Sequence, residues 1–122
     1  GDEAVIGITN YEDGKFEVGI INSIPVGGWQ FKIRTDLDAF NITSVSGGAV
    51  DQYGFINNYS QQNFGNNNSQ YTFLGFSLIG GIIPPGNHTL FYIEADFNDY
   101  EGYAGYRDII INNIKFRISN CL

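Results

Sequence analysis

Four asparagines carry a Ser or Thr two positions on with no proline between: Asn41-Ile42-Thr43, Asn58-Tyr59-Ser60, Asn67-Asn68-Ser69 and Asn87-His88-Thr89. This is the acceptor pattern for N-glycosylation, in which the asparagine side-chain amide takes the sugar. With Ser and Thr at roughly a tenth of positions, chance predicts about one or two such sites in an asparagine-rich chain of this length. The excess predicts an exposed, covalently modified surface and an extracellular or cell-surface setting, with N-glycans at Asn41, Asn58, Asn67 and Asn87.

The other residues capable of chemistry are sparse. The single histidine, His88, lies inside an acceptor site and has no nucleophile motif beside it, so it is expected to be a solvated loop residue. The acidic residues are scattered over turns and do not form the facing pair that glycoside hydrolysis requires. An enzyme is therefore not expected, and neither is a cofactor. The run Asp96-Phe97-Asn98-Asp99-Tyr100-Glu101-Gly102 is rich in oxygen ligands but misses the EF-hand spacing. It reads as an acidic turn or as a calcium loop. Tyr100, Tyr103 and Tyr106 recur every third residue in a glycine-rich stretch; they suit stacking on sugars, anchoring a protein contact, or packing over the end of a domain. Cys121 is the only cysteine and cannot form an internal disulfide. It is either a bystander thiol or half of an intermolecular bridge.

The elements that position these residues read as strands. The 122 residues are one domain's length, 43% of them apolar. Tyr, Phe, Ile, Val, Asn and Gly dominate, a mixture that favours strands and turns. The net charge of −7 and the lack of a basic cluster argue against nucleic acid and anionic membrane surfaces. No apolar run reaches the ~20 residues needed to span a bilayer. The chain opens on Gly1 and reads as one from which a signal peptide has been removed.

Period-two alternation recurs along the chain. Phe16, Val18 and Ile20 share a face, as do Trp29, Phe31 and Ile33. Phe40 and Ile42 point inward, which turns Asn41 and Thr43 to solvent. After the break Ser46-Gly47-Gly48 comes a weaker strand around Tyr53–Tyr59. The polar stretch Ser60–Gln70 is expected to be an exposed loop. Leu74, Phe76 and Leu78 form one face of the next strand, and Phe91, Ile93, Ala95 and Phe97 one face of its partner. Between them, Gly80-Gly81-Ile82-Ile83-Pro84-Pro85-Gly86-Asn87 is a shaped turn. The last strand, Ile109–Ile118, places Ile110, Ile114, Phe116 and Ile118 inward. Glu3–Thr9 has Val5 on one face and Ile6 and Ile8 on the other, so it should be buried between layers or paired centrally. It is either strand one of its own sandwich or an arm that inserts into a neighbouring subunit. About eight short strands at this spacing imply one all-β domain over residues 1–122, an antiparallel two-sheet β-sandwich.

Several short motifs occur in an order that resembles a cohesin-like module: Val26-Gly27-Gly28-Trp29-Gln30-Phe31, Val45-Ser46-Gly47-Gly48-Ala49, Gly54-Phe55, Leu74-Gly75-Phe76-Ser77-Leu78-Ile79-Gly80, then Ile83-Pro84-Pro85-Gly86 and Leu90. The resemblance runs from about Lys15 to Phe116. It implies a jelly-roll sandwich of about nine strands, a secreted microbial setting and, for cohesins themselves, dockerin binding through one sheet face. Related modules often carry a second cysteine before the last strand, where this chain has Arg107-Asp108-Ile109-Ile110-Ile111.

The function expected from these features is that of a structural subunit in an extracellular, N-glycosylated filament or surface assembly. Its partners would be copies of itself, joined by β-strand addition through Val5, Ile6 and Ile8. The alternative is a secreted binding module for a protein partner or a carbohydrate.

Overall fold

The alternating segments form two antiparallel sheets packed face to face. The computed structural model describes residues 4–12, 14–35, 40–63, 69–96 and 115–119. In chain order the elements are β1 (Ala4–Glu12), β2 (Lys15–Asn22), β3 (Trp29–Thr35), β4 (Asn41–Ser46), α1 (Gly48–Gln52), β5 (Ile56–Asn63), β6 (Ser69–Phe76), β7 (Gly86–Asp96) and β8 (Lys115–Ser119). The first sheet has the order β1-β2-β7-β4 and the second β5-β6-β3-β8. This is the expected all-β sandwich, with eight strands among the described residues.

The inward faces of β2, β3 and β7 are those that alternation predicts. Phe16, Val18 and Ile20, Trp29, Phe31 and Ile33, and Phe91, Ile93 and Ala95 are all buried. Burial of such side chains is worth about 1.5–3 kcal/mol each, enough to fix the phase of each strand. Phe40 and Ile42 are also buried, and Asn41 and Thr43 are exposed as expected. In β8, Phe116 pairs in register with Ile33, and Ile118 with Phe31.

Four features correct or add to these expectations. In β6 the buried residues are Tyr71 and Phe73, whereas Leu74 and Leu78 are exposed. The face is decided by Gly75, which leaves room for the Trp29 indole: a Cβ there would lie 1.9 Å from Trp29 Cε2. Second, Ser60–Gln70 is not all loop. β5 continues to Asn63 and β6 begins at Ser69, with Ser60 opposite Thr72 and Gln62 opposite Gln70. A hairpin ladder is built from backbone groups, so exposed polar side chains do not end it. Third, β1 is an edge strand, with Val5 exposed on its outer face and Ile6 buried on its inner one. Fourth, a short helix, α1, follows β4. Gly48 opens it at φ 66, and a Cβ there would lie 2.6 Å from the Leu90 carbonyl oxygen, so glycine permits the close approach to β7.

A buried hydrogen bond joins the sheets. The Tyr71 hydroxyl on β6 accepts the Ile42 N–H of β4 at 3.1 Å. This N–H lies where β4 bulges against β7, between Ile42 and Ser44. Burial raises the Tyr71 pKa above its ordinary value; the Ile42 hydrogen bond opposes this and the nearby Tyr59 adds to it.

Two outcomes follow. Gly75→Ala is expected to cost about 2–3 kcal/mol through overlap with Trp29, measured by urea denaturation. Tyr71→Phe leaves the Ile42 N–H unpaired and is expected to cost about 1–3 kcal/mol. Below about pH 10 the Tyr71 phenol is neutral in both folded and unfolded chains. Above that, only the unfolded chain ionises until the higher folded pKa is reached, so stability falls as pH rises. The difference in stability between wild type and Tyr71→Phe should therefore shrink with alkali; a constant difference would contradict the raised pKa.

Candidate functional site

Three of the four acceptor asparagines fall within described residues, and all three are exposed. Asn41 starts β4, Asn58 lies in β5 and Asn87 lies near the start of β7. Asn67 lies outside the described residues. Each of the three acceptor triplets is part of a strand, so a glycan at any of them projects from a sheet surface.

Asn87 faces solvent because of a β-bulge. Phe91 points inward opposite Val18, and unbroken alternation would also turn Thr89 and Asn87 inward. Instead the register shifts: Gly19 pairs with Thr89, Ile20 with His88 and Ile21 with Asn87. Leu90 is the extra residue, and both Leu90 and Phe91 are fully buried. The bulge reverses the parity of β7, which puts Asn87 and Thr89 on the outer face. Two consecutive large apolar residues, Leu90-Phe91, are the sequence signal for it.

His88 is consequently not a solvated loop residue. It is half-buried on the inner side of β7, where Nε2 donates to the Pro84 carbonyl at 2.8 Å and the ring meets Tyr53 edge-on at 6.3 Å.

The exposed aliphatic side chains gather at one pole of the sandwich. The registers Ala4–Asn22, Asn22–Gly86, Trp29–Gly75 and Ile56–Phe76 bring the starts of β1, β3, β5 and β7 to the same end. Val5 and Ile21 are exposed on one flank of this end, and Ile56 and Leu74 on the other. At the tip stand Ile24, Leu78, Ile79 and Ile82, of which Leu78 and Ile79 are 79% and 80% exposed. Described residues at the opposite pole, such as Glu12, Lys15, Gln61, Gln62 and Asp96, are exposed and polar.

The tip is held firmly. The Ser77 hydroxyl donates to the Gly54 carbonyl at 3.2 Å and accepts the N–H groups of Gly81 at 2.9 Å and Ile79 at 3.3 Å. Val26 and Ile83 exchange backbone hydrogen bonds of 3.0 and 2.8 Å. The buried Asn22 amide shares its two hydrogens among the carbonyls of Ile24, Pro84 and Ile83, at 2.9, 3.0 and 3.3 Å. These bonds fix a turn whose aliphatic side chains have little to pack on. The sequence reading missed the tip, although Leu78-Ile79-Gly80-Gly81-Ile82 is unusually apolar for a turn.

Of the expected assembly residues, Ile6 is buried, Ile8 packs against the core and Val5 is exposed. β1 is thus paired within its own chain, Val5 opposite Ile21 and Ile6 opposite Ile20. Tyr100, Tyr103, Tyr106, Cys121 and residues 97–102 of the acidic run lie outside the described residues. Among the described residues no cluster of three His, Cys, Asp or Glu side chains is arranged to hold a metal ion. No described helix is long and apolar enough to cross a membrane. Compared with known proteins, the chain matches no family model, no curated protein and no solved structure.

Ser77→Ala removes one acceptor and one donor from the tip. It is expected to cost about 1–3 kcal/mol and to speed hydrogen exchange at Ile79 and Gly81 well beyond that of β7; uniform exchange across both regions would show that the hydroxyl does not fix the turn.

Proposed function

We propose that the protein is a structural subunit of an extracellular, N-glycosylated filament or surface assembly that associates with copies of itself by β-strand addition. The observation that carries this reading is the rigid aliphatic tip at the pole where β1 starts. Isolated exposed aliphatics are ordinary, but a pole on which they concentrate marks a contact surface. The Ser77 and Asn22 hydrogen bonds hold that surface in one shape, which lowers the entropy lost on docking.

Among the described residues no strand pairs with the outer edge of β1. Its backbone N–H and C=O groups can accept a further strand. Ile6 and Ile8 hold β1 in its own core, and Val5 stands on the face that an added strand would extend. A contact between an edge or pole of one subunit and a different surface of the next is heterologous. Repeated without closure it yields a filament. The outward asparagines support the extracellular setting, because an acceptor side chain must be exposed to be modified.

The test is cryo-EM of the native glycosylated protein beside Leu78→Asp and Ile79→Asp, with circular dichroism to verify folding. Wild type is expected as regular filaments and both variants as folded monomers. Variants that polymerise like wild type would sink the reading. A wild-type chain that stays monomeric yet captures a sugar or a peptide ligand would make it a binding module instead.

A further inference from the structure

The flank aliphatics are not placed at random relative to the acceptor asparagines. On the outer face of the first sheet, Asn87 pairs with Ile21, and Ile21 with Val5, so the three form one row across β7, β2 and β1. Ile21 is 59% and Val5 51% exposed. On the second sheet, Asn58 pairs with Leu74, which is exposed, and the exposed Ile56 lies two residues along the same strand. Side chains directly opposite on neighbouring strands have Cβ atoms about 4.5–5.5 Å apart. The first sugar on either asparagine would therefore start beside an aliphatic side chain. Asn41 differs: it pairs with Asp96, and the next outward pair is Ser44 with Glu94, whose side chains are hydrogen-bonded at 3.0 Å.

We propose that the glycans at Asn58 and Asn87 fold back on the protein, their first pyranose residues covering Leu74 with Ile56 and Ile21 with Val5, whereas a glycan at Asn41 extends into solvent. The inference rests on the glycosylation named above. A pyranose ring presents C–H groups on its faces and hydroxyls at its rim, so it removes apolar surface from water while staying hydrated at its edge. The attachment is covalent, so the contact does not bear the entropy of bringing two molecules together. The two cradles lie on opposite sheets and are related by no sequence repeat, yet both join an outward asparagine to an exposed aliphatic pair. The tip side chains Ile24, Leu78, Ile79 and Ile82 have no such neighbour in strand register, which reserves them for protein contact.

The experiment compares the glycosylated wild type with Asn41→Gln, Asn58→Gln and Asn87→Gln. Glycopeptide mass measures occupancy, a hydrophobic fluorescent dye measures exposed apolar surface, and thermal unfolding measures stability. Ser60→Ala and Asn87→Asp serve as second variants that remove each site with a different surface change. Loss of either the Asn58 or the Asn87 glycan is expected to raise dye binding and lower the melting midpoint by about 3–5 °C, while Asn41→Gln changes neither. Adding Ile21→Thr to Asn87→Gln should return dye binding towards the wild-type level. Occupied sites whose removal leaves dye and midpoint unchanged, or three sites that behave alike, would overturn the inference but not the glycosylation. Unmodified Asn58 and Asn87 in the native protein would overturn the inference together with the glycosylation of these two sites, and an unmodified Asn41 besides would overturn the glycosylated reading of the described surface.

Discussion

Three phenyl rings set the phase of everything outside them. Phe31 of β3 stacks on Phe73 of β6 at 5.2 Å, and both meet Phe91 of β7, at 6.1 and 5.3 Å. The trio joins the two sheets at the centre of the core, and Phe73 and Phe91 are fully buried. Because strand side chains alternate, fixing one residue inward fixes its neighbours outward. Phe73 inside makes Leu74 outside, and with it Asn58 across the hairpin. Phe91 inside, followed by the bulge at Leu90, puts Asn87 outside beside Ile21. A slip of one residue in β6 or β7 would bury a candidate modification site and expose a phenyl ring, which is why sites on strand faces depend on the core as strictly as the core residues do.

That dependence also explains what could be read from the sequence. In β2, β3 and β4 a single alternation existed, and it matched the structure: Trp29, Phe31 and Ile33 had no rival face. In β6 alternation groups Leu74, Phe76 and Leu78 on one face, but it does not say which face of the strand is inward. The choice is made by a contact 46 positions apart in the chain, Gly75 against the Trp29 indole, and no local window contains it. The polar arms of the β5–β6 hairpin resemble loop in the sequence because composition reports packing rather than backbone pairing. The reversal in β7 was hidden because alternation assumes an unbroken ladder, whereas Leu90-Phe91 breaks it. The acceptor triplets themselves were plain in the sequence; their relation to Leu74 and Ile21 exists only once the registers are known.

The same reasoning separates two kinds of exposed apolar residue. Val5, Ile21, Ile56 and Leu74 are exposed as a consequence of strand parity, on sheet faces that also carry polar residues and the acceptor asparagines. Covering them with a tethered polar group preserves solubility without altering the strand pattern. Ile24, Leu78, Ile79 and Ile82 lie in connections, where no ladder compels an apolar residue and turn chemistry favours polar ones. Their presence there carries a cost in solubility that core packing does not offset.

The Ser77 hydroxyl sharpens the distinction. A turn whose only role is to join β6 to β7 needs no side-chain bonds to three backbone groups, one of them Gly54 beyond the other side of β5 in the chain. Those bonds restrict the motion of Leu78 and Ile79 while leaving their side chains in water, which is unfavourable for an isolated subunit and favourable for one that docks. Fixing the shape in advance moves the ordering cost from association to folding, where the Val26–Ile83 bridge and the Asn22 amide already hold the neighbouring chain. The flanks and the tip thus call for different cover, sugar for the one and a second protein surface for the other: the flank residues lie on strand faces where Ile21 and Leu74 sit opposite an asparagine, and the tip residues lie in connections.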